Sequence, residues 1–260
     1  MSKVQVLVAS MNQIDHSLLT KMNIKSDAII GNQCDHNSIE HFNWNDYRIT
    51  YLNFAERGVG LNRNNSLMRA DADICLFADD DLIYKDNYVQ IITSAFDRHP
   101  DASVLAFNLE DESKEQYRKL ITKEKRVTYF NCLRYGTARI AIRLSRVRFN
   151  GILFNQCFGG GTVYKHGEDN LFVVSCLSKG LKMYSIPETI ATLTDERDSS
   201  WNNGYDNNYI EDQGILFRCM TRKYWRFLCF QDALRRHKSY GKPFLETYKL
   251  MISKVKETCN

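Results

Sequence analysis

Three consecutive carboxylates, Asp79, Asp80 and Asp81, directly follow an apolar run at residues 74–78. The run has the length and composition of a buried strand, and open α/β folds bind ligands at the carboxyl ends of such strands. Because three anions this close repel one another, a hard divalent cation shared with phosphate oxygens is their usual partner. The alternative is an acidic turn that only caps the next helix. The position at the strand end favours a metal site.

A second carboxylate pair, Glu168 and Asp169, begins a helical pattern much further along the chain. Either carboxylate can act as a general base toward a substrate hydroxyl. The alternative is that these acids merely complement the dipole at a helix N-terminus. His166 precedes the pair and can approach a metal or a substrate, although a lone histidine is more often an ordinary structural residue.

Two glycine-containing segments are candidates for contacts with anions or sugars. Residues 58–64 precede a helix and combine backbone amides with Arg63, which suits the binding of an anion. Gly159, Gly160 and Gly161 either let a sugar or phosphate approach the backbone or form a flexible loop. The sequence lacks G-x-G-x-x-G after its first strand, the P-loop pattern, C-x-x-C, H-E-x-x-H and G-x-S-x-G. Dinucleotide, P-loop, zinc-protease and serine-hydrolase chemistry is therefore disfavoured.

The elements that position these residues alternate between strands and helices, which is the order typical of an α/β fold. Apolar runs predict strands at residues 4–9, 27–30, 48–54, 74–78, 103–107 and 182–186. Helical spacing predicts helices after Asp15, at 60–70, after Asp86, at 171–179, and from Tyr209 onward with a break near 241–243. Residues 139–144 alternate like a half-exposed strand with arginine on the open face, and the pattern slips at 145–146 as at a bulge.

The composition describes a folded globular chain of 260 residues, of which 43% are hydrophobic and 25% charged. A net charge of +4 is too mild to predict nucleic-acid binding. Eight scattered cysteines without metal-like spacing indicate a reduced environment. The N-terminus enters a strand pattern without a signal-peptide cleavage region, and no segment approaches the roughly 20 apolar residues that cross a bilayer. We therefore expect a cytoplasmic protein that binds no nucleic acid.

Taken in order, residues 6–12, 58–64, 77–81 and the pair Glu168 and Asp169 resemble the family 2 glycosyltransferases of GT-A fold. The resemblance spans roughly residues 3 to 195. Residues 29–35 and 199–201 are similar to a bacterial subgroup that builds capsule, O-antigen or related surface polysaccharide. The resemblance implies a Rossmann-like, mixed and mainly parallel sheet flanked by helices. It implies a catalytic domain at 1–210 and a short helical extension at 211–260.

The resemblance also implies roles for the carboxylates. Asp79 and Asp81 match the D-x-D motif of the family, so Asp81 is expected to ligate Mn²⁺ or Mg²⁺ directly. Asp79 is expected to meet the ribose, or the metal through water, and Asp80 occupies the variable middle position. Asp169 matches the catalytic base, which leaves Glu168 as an orienting or acceptor-binding neighbour.

The nucleotide side of the site is implied by other matches. Ala9, Ser10 and Asn12 correspond to the end of the first strand, which lines the nucleobase pocket in the family. Arg63 corresponds to an arginine near the nucleotide. One departure concerns Asn32, which stands where the family usually carries an aspartate that reads uracil. An asparagine amide can still pair with a pyrimidine edge, but the identity of the base is left open.

The implied activity is inverting, metal-dependent transfer of a sugar from a nucleotide-sugar, with UDP favoured, to a hydroxyl of a glycan or lipid-linked acceptor. Because no separate carboxylate nucleophile is suggested, a covalent glycosyl-enzyme is not expected. One alternative is a sugar nucleotidyltransferase, although its usual glycine-rich N-terminal loop with a basic residue is missing. Another is a non-catalytic carbohydrate-binding protein that keeps the fold.

Acceptor contacts are expected from a set of glycine, aromatic and basic residues: Gly160, Gly161, His166 and Trp201, with Tyr129, Arg139 and Arg143 as further candidates. Residues 222–230 and 235–238 interleave aromatic side chains with cations. Such a helix either lies on an anionic membrane surface that holds a lipid-linked acceptor, or packs its aromatic rings on the domain while its cations stay solvated. The oligomeric state is left open.

Overall fold

The computed structural model describes residues 2–111, 120–194 and 205–258. Within these ranges the chain forms a ten-stranded mixed sheet with helices on both faces. The strands are β1 Val4–Met11, β2 Asp27–Gln33, β3 Ser38–Trp44, β4 Tyr47–Phe54, β5 Ile74–Asp79, β6 Leu82–Tyr84, β7 Val104–Asp111, β8 Lys125–Val127, β9 Ile140–Arg143 and β10 Met183–Leu193. The helices are α1 Ser17–Lys21, α2 Val59–Arg69, α3 Tyr88–Arg98, α4 Leu144–Phe149, α5 Glu168–Ser178, α6 Asn207–Met220, α7 Trp225–Arg236 and α8 Phe244–Thr258.

The strand order across the sheet is β3-β4-β2-β1-β5-β9-β7-β10-β6, and β8 pairs with β10. The long pairs at the centre are parallel, namely β1 with β2 and β5, and β2 with β4, as is β7 with β10. The short strands and the edges pair in antiparallel fashion. The predicted α/β class with a mainly parallel, mixed sheet is confirmed.

The central strands are apolar throughout because helices cover the sheet from both sides. In β1, Val6 and Val8 pack in one core with α1 and α3, whereas Leu7 packs in a second core with α2 and α5. The same alternation holds in β5, where Leu76 belongs to the first core and Phe77 to the second. Successive side chains of a strand point to opposite faces, so both faces of these strands must be hydrophobic.

The carboxyl ends of four neighbouring parallel strands lie along one edge of the sheet. The strand register places Ala9 beside Asp79, Ser10 beside Asn32, and Asn32 beside Asn53. The loops that follow β1, β2, β4 and β5 therefore lie side by side. We call this line of strand ends and loops the carboxyl edge, and it is where the predicted nucleotide and metal residues meet.

The prediction for residues 139–146 is wrong in its details. β9 is a short, buried strand between β5 and β7, and Ser145 and Arg146 belong to helix α4 rather than to a bulge. The arginines are not on an open face, because they bond backbone carbonyls. Arg143 donates to the carbonyls of Phe96 and Ala102 at 3.1 Å, and Arg146 donates to that of Asp101 at 2.7 Å.

Two further departures concern strands. β3 was not predicted, because this edge strand of a hairpin is largely exposed and its side chains are mostly polar. β10 continues past Pro187 to Leu193, whereas the proline was expected to end the strand. Its pairing with β7 shifts register between Ser185 and Thr189, and such an irregularity accommodates a residue that has no N–H to donate.

The three C-terminal helices α6, α7 and α8 form a cluster with its own apolar core, which also includes Phe158 and Leu171. Gly214 permits the closest contact, since a Cβ there would lie 1.8 Å from the carbonyl oxygen of Met251 on α8. The predicted boundary at 210/211 falls within the first turns of α6, which begins at Asn207. Among the described residues, no helix combines the length and the apolar character needed to span a membrane.

Candidate active site

A buried arginine connects the two acidic groups that the sequence places far apart. Arg63, on α2, has a side chain that is only 5% exposed. Its Nη2 donates to Oδ1 of Asp79 at 2.7 Å, and its Nη1 donates to Oε1 of Glu168 at 2.8 Å. The end of β5 and the start of α5 are thereby held on either side of one guanidinium. The cation expected to relieve the repulsion at Asp79 is thus partly supplied by the protein itself.

The start of α2 is fixed by contacts with the glycine run. Gly58 adopts a φ of +122°, and its amide donates to Oε1 of Gln33 at 2.8 Å. The next amide, that of Val59, donates to the carbonyl of Gly160 at 3.0 Å. At Gly159 a Cβ would lie 2.7 Å from Oε2 of Glu168, so glycine is needed for this close approach. Gly160 and Gly161 therefore lie against the helix that carries Arg63.

Asp169 has the electrostatic character of a general base. It lies in the first turn of α5 and is partly exposed, while its Oδ1 accepts a hydrogen bond from the amide of Asn170 at 2.7 Å. Desolvation in the site raises the pKa of Asp169 to about 7, and the negative charges of Glu168 and Asp79 act in the same direction. A carboxyl group with a pKa near neutrality is well matched to accept a proton from a hydroxyl.

Glu168 has a different environment from its neighbour. It is 4% exposed and is paired with Arg63. Within the described residues, Glu168 forms a direct ion pair with Arg63, whereas the carboxylate of Asp169 accepts a hydrogen bond from the backbone amide of Asn170. The adjacent acids therefore differ in their partners, and Asp169 is the one whose pKa is raised.

The three aspartates after β5 are held by contacts on both sides of their turn. Asp79 is 41% exposed at the strand end. Asp80 accepts a hydrogen bond from Nε2 of Gln13 at 3.4 Å, which links the turn to the loop after β1. The backbone carbonyl of Asp81 accepts from the amide of Thr194 at 2.9 Å, which links the turn to the end of β10.

The donor set of this turn fits a divalent cation. Carboxylate oxygens of Asp79 and Asp81 are the hard ligands that Mg²⁺ and Mn²⁺ prefer. Among the described residues, the group with three ligating atoms within 4.8 Å of one another is Cys34, Asp35 and His36, not the aspartate turn. A turn with one or two usable carboxylates suits an ion that completes its coordination with substrate phosphates.

Asn32 is fully buried, and its amide holds the loop after β1. Its Oδ1 accepts from the amide of Gln13 at 2.9 Å, while its Nδ2 donates to the carbonyl of Gln13 at 2.9 Å and to Oδ1 of Asn53 at 2.8 Å. Ser10 is also buried, with its hydroxyl donating to the carbonyl of Gly31 at 3.1 Å, and Ala9 is 8% exposed. Ser10 and Asn32 thus support the backbone of the carboxyl edge through hydrogen bonds and do not project into solvent.

An open cleft of about 430 Å³ lies next to this edge. It is lined by the loops after β1 and β2 and by β3 and β4, through Asn12, Gln13, Ile14, Asp15, His16, Cys34, Asp35, His36, Glu40, Tyr51 and Asn53. The ring of His16 stacks on Phe42 with centroids 4.3 Å apart and lies 4.9 Å from Tyr51. Its Nε2 lies 3.1 Å from Oε2 of Glu40. The cleft therefore offers aromatic surface together with polar groups.

Most of the cleft residues were not predicted as site residues. Asn12 was predicted, and it is exposed with a φ of +53°. Gln13 and His16 could have been found because they lie in the loop between β1 and α1. Glu40 had no usable signal, because it lies on the unpredicted strand β3.

The predicted acceptor residues are only partly brought together. Nε2 of His166 lies 2.9 Å from Oε1 of Gln213, and its ring stacks on Tyr209 at 4.0 Å, while burial lowers its pKa. Tyr209 contacts Tyr205 and Tyr240, so an aromatic cluster from the C-terminal helices lies close to the start of α5. Sequence reasoning missed this cluster.

The remaining acceptor candidates have different environments. Tyr129 is 58% exposed, and Arg139 is buried. Arg143 pairs with Ile74, at the opposite end of β5 from Asp79, so it does not contribute to this site. Trp201 lies outside the described residues.

Comparison with known proteins gives a family-model match over part of the chain and a shared fold. Residues 35–157 match the family model described as Glycosyl transferase family 2, a span that includes Arg63 and the aspartate turn but ends before Glu168. The resemblance of the sequence to family 2 glycosyltransferases is thus confirmed. No significant match was found among curated proteins.

The structure is similar to crystal structures of TarS from S. aureus. For TarS 1–349 in complex with UDP-GlcNAc, the TM-score is 0.63 at 12% identity, over 98% of this chain and 92% of that chain. For the complex with UDP, the TM-score is 0.62 at 14% identity, with the same coverage. Such similarity at low identity shows that the two chains share a GT-A fold.

Proposed function

We propose that this chain, which carries a family 2 glycosyltransferase match, is an inverting, metal-dependent enzyme. It transfers a sugar from a nucleotide-sugar, with a UDP-sugar favoured, to a hydroxyl of a glycan or lipid-linked acceptor in surface polysaccharide biosynthesis. The single observation that carries the proposal is the pairing of Arg63 with both Asp79 and Glu168. That pairing holds the aspartate turn, which is proposed to bind the diphosphate, close to the helix start that carries Asp169, the proposed base.

The proton transfer is assigned to Asp169. Its carboxylate accepts the proton of the acceptor hydroxyl as that oxygen forms a bond to the anomeric carbon of the donor. The bond from that carbon to the nucleoside diphosphate breaks on the opposite side, and its electron pair leaves with the diphosphate. A single displacement of this kind inverts the anomeric centre.

Arg63 and Glu168 act as positioning residues in this proposal. Glu168 is held by Arg63, so the first turn of α5 is fixed relative to β5, and the orientation of Asp169 depends on that turn. The negative charge of Glu168 also helps to keep the pKa of its neighbour high. Because Arg63 bonds two protein carboxylates, its effect on the nucleotide is expected to be indirect.

The leaving group is handled at the aspartate turn. Asp79 and Asp81 would hold Mn²⁺ or Mg²⁺, with Asp81 as the direct ligand. When bound, such an ion acts as a Lewis acid that neutralises the charge developing on the leaving diphosphate. Asp80 is tied to Gln13 and links this turn to the loop of the nucleotide cleft.

The nucleotide is proposed to enter the cleft at the ends of β1 and β2. TarS, whose fold this chain shares, was crystallised with UDP-GlcNAc and with UDP, which supports a uridine nucleotide. Asn12 lines the β1 side of this pocket, and Ala9 and Ser10 are buried in the strand just before it. Since both amide hydrogens of Asn32 are used within the protein, we propose that Asn32 positions Gln13 rather than pairing with the base itself.

The acceptor side is proposed to include Gly160, Gly161 and His166, which lie around the start of α5 and α2. His166 is stacked on Tyr209, so the C-terminal helices contribute to this side as well. Trp201, outside the described residues, stays a prediction.

Calorimetric titration of the full chain with UDP, GDP and CDP, each with Mn²⁺ and again with a chelator, tests the donor assignment. The expected result is metal-dependent binding of a nucleoside diphosphate, with UDP strongest. Binding of none of the three in the presence of Mn²⁺ would contradict the proposal. Release of pyrophosphate from a nucleoside triphosphate and a sugar 1-phosphate would instead identify a nucleotidyltransferase.

A further inference from the structure

We propose that helix α7 is a docking surface for an anionic lipid bilayer. We define the α7 face as Tyr224, Phe227, Phe230 and Leu234, together with Leu245 at the start of α8. The docking itself is independent of the reaction. Only its purpose, to bring the enzyme to a lipid-linked acceptor, rests on the function proposed above.

The α7 face is apolar and exposed. Tyr224 is 57% exposed, Phe227 61%, Phe230 44%, Leu234 55% and Leu245 64%. Phe227, Phe230 and Leu234 are spaced three and four residues apart, so they share one side of the helix. A continuous stripe of this kind differs from the scattered single hydrophobic residues that soluble surfaces normally carry.

The opposite side of α7 packs the helix against the rest of the protein. Trp225, Cys229 and Ala233 are buried in the core that α7 shares with α6 and α8. Phe230 also contacts the rings of Phe244 and Tyr248 on α8, with centroids 5.3 and 6.1 Å apart. Packing of this kind does not explain the exposure of Phe227 and Leu234. The sequence left open whether the aromatic residues of this segment pack inward or face outward, and the structure divides them between both sides.

The charge around the α7 face is strongly positive. Residues 222–242 contain one carboxylate, Asp232, and seven cations: Arg222, Lys223, Arg226, Arg235, Arg236, Lys238 and Lys242. The excess in this segment is larger than the +4 of the whole chain, so the rest of the chain is on balance negative. Asp232 is largely buried, accepts a hydrogen bond from Tyr240 at 2.6 Å, and offsets the charge of Arg236, whose Nε lies 3.4 Å from its Oδ1.

Two of these cations lie against aromatic rings beside the stripe. Lys223 lies 5.3 Å from the ring centroid of Tyr224, and Arg226 lies 5.2 Å from that of Trp225. Lys242 is paired with Glu246 and contributes less to the surface charge. Large apolar side chains flanked by lysine and arginine are typical of helices that lie in the interface of an anionic membrane.

An anionic bilayer fits this combination better than other occupants do. In a symmetric dimer through the α7 face, the flanking cations of one copy would approach those of the other, which is unfavourable. A nucleic acid would satisfy the cations but would give Leu234 and Leu245 no apolar partner. A bilayer satisfies both, because its headgroups attract the cations while its acyl boundary takes up the apolar side chains.

The α7 face belongs to the same helical cluster that borders the candidate active site. Tyr240, just after α7, has its ring 6.3 Å from that of Tyr209. Tyr209 in turn stacks on His166, two residues before Glu168. The segment that follows the proposed docking helix is therefore in contact, ring by ring, with the acceptor side of the site.

The test is co-sedimentation of the full chain with vesicles of phosphatidylcholine alone and of phosphatidylcholine mixed with phosphatidylglycerol. We expect binding to the mixed vesicles, little binding to the neutral ones, and weakening by added salt. The variant F227S/L234S is expected to bind the mixed vesicles about tenfold more weakly, because apolar area is lost from the interface. The matched control is Phe149→Ser, since Phe149 is 91% exposed but lies at the end of α4.

Three results would overturn the proposal: equal binding to neutral and anionic vesicles, unchanged binding of F227S/L234S, or equal weakening by Phe149→Ser. A dimer in sedimentation velocity that F227S/L234S abolishes, without vesicle binding, would show that a second copy covers this face. Thermal unfolding and UDP titration of the same variants separate docking from folding and from the proposed function. Failure of wild-type protein to bind any of UDP, GDP and CDP with Mn²⁺ would contradict the proposed function and leave the vesicle result standing.

Discussion

The two acidic groups that Arg63 connects contain the same kind of side chain in different environments. Asp79 stands at a strand end with much of its carboxylate in solvent, whereas Asp169 stands in a helix turn where desolvation raises its pKa to about 7. The first environment keeps negative charge available to a cation, and the second prepares a carboxylate to accept a proton. Arg63 contacts Asp79 in the first group and Glu168, the neighbour of Asp169, in the second, so one residue sets the distance between two functions.

Replacing Asp169 by asparagine removes the proposed base with little change in shape. We expect sugar transfer to fall by about 10³- to 10⁴-fold, which is at the upper range for loss of general-base catalysis. Nucleotide affinity, measured by calorimetry, should stay within about twofold of wild type. Near-normal turnover of this variant would show that the two acidic groups do not differ as described.

Replacing Arg63 by methionine tests the connection between the groups. The substitution leaves Glu168 buried without its cation, and loss of one partner of a buried pair costs about 3–5 kcal/mol in the free energy of unfolding. Urea unfolding measures this change. The matched control is Arg69→Met on the same helix, where the arginine is exposed and the expected change is within about 0.5 kcal/mol. Equal effects of the two substitutions would mean that the Arg63 pairs do not hold the site together.

Replacing Asp81 by alanine should impair the aspartate turn after β5 and leave the start of α5, with Asp169, unchanged. We expect metal-dependent UDP binding to weaken by about a hundredfold and transfer to be lost, because a direct metal ligand is removed. The binding that remains with a chelator present should be unchanged. Asp97→Ala, on an exposed position of α3, is the control. If Asp81→Ala bound UDP and Mn²⁺ like wild type, the metal assignment would be wrong.

The pH dependence of kcat tests the role of Asp169 without any substitution. Because the pKa of Asp169 is raised, its base form is lost as pH falls below about 7, so kcat should drop about tenfold per pH unit there and level off above. The same shift means that the native state binds more protons than the unfolded state between pH 3.8 and about 7. The contribution of Asp169 to the free energy of unfolding should therefore fall as pH rises through that range. A kcat that is flat from pH 5 to 8 would contradict the raised pKa.

The sequence allowed the acidic groups to be predicted, because each stands at the end or start of an element with a clear hydrophobic pattern. Asp79 to Asp81 follow a buried strand, and Glu168 and Asp169 open a helix. The order of these motifs was enough to indicate the GT-A fold, whose sheet then places strand ends along one edge.

The pairing of Arg63 could not be predicted, because it depends on the mutual position of α2, β5 and α5. An arginine near glycines was interpreted as an anion-binding residue, which is the usual local meaning of that pattern. Asn32 shows the same limit. Its place in the family pattern suggested contact with a base, yet its amide hydrogens are used by Gln13, after β1, and by Asn53 of β4. The cleft residues on β3 were missed because an exposed, polar edge strand has no hydrophobic signal.

A crystal structure of the chain with UDP and Mn²⁺ tests the central claim most directly, because that claim is spatial. The account predicts that the diphosphate and the ion lie at Asp79 and Asp81, with the carboxylate of Asp169 opening onto the same cleft beside them. A nucleotide bound away from this turn, or separated from Asp169 by the sheet, would contradict it.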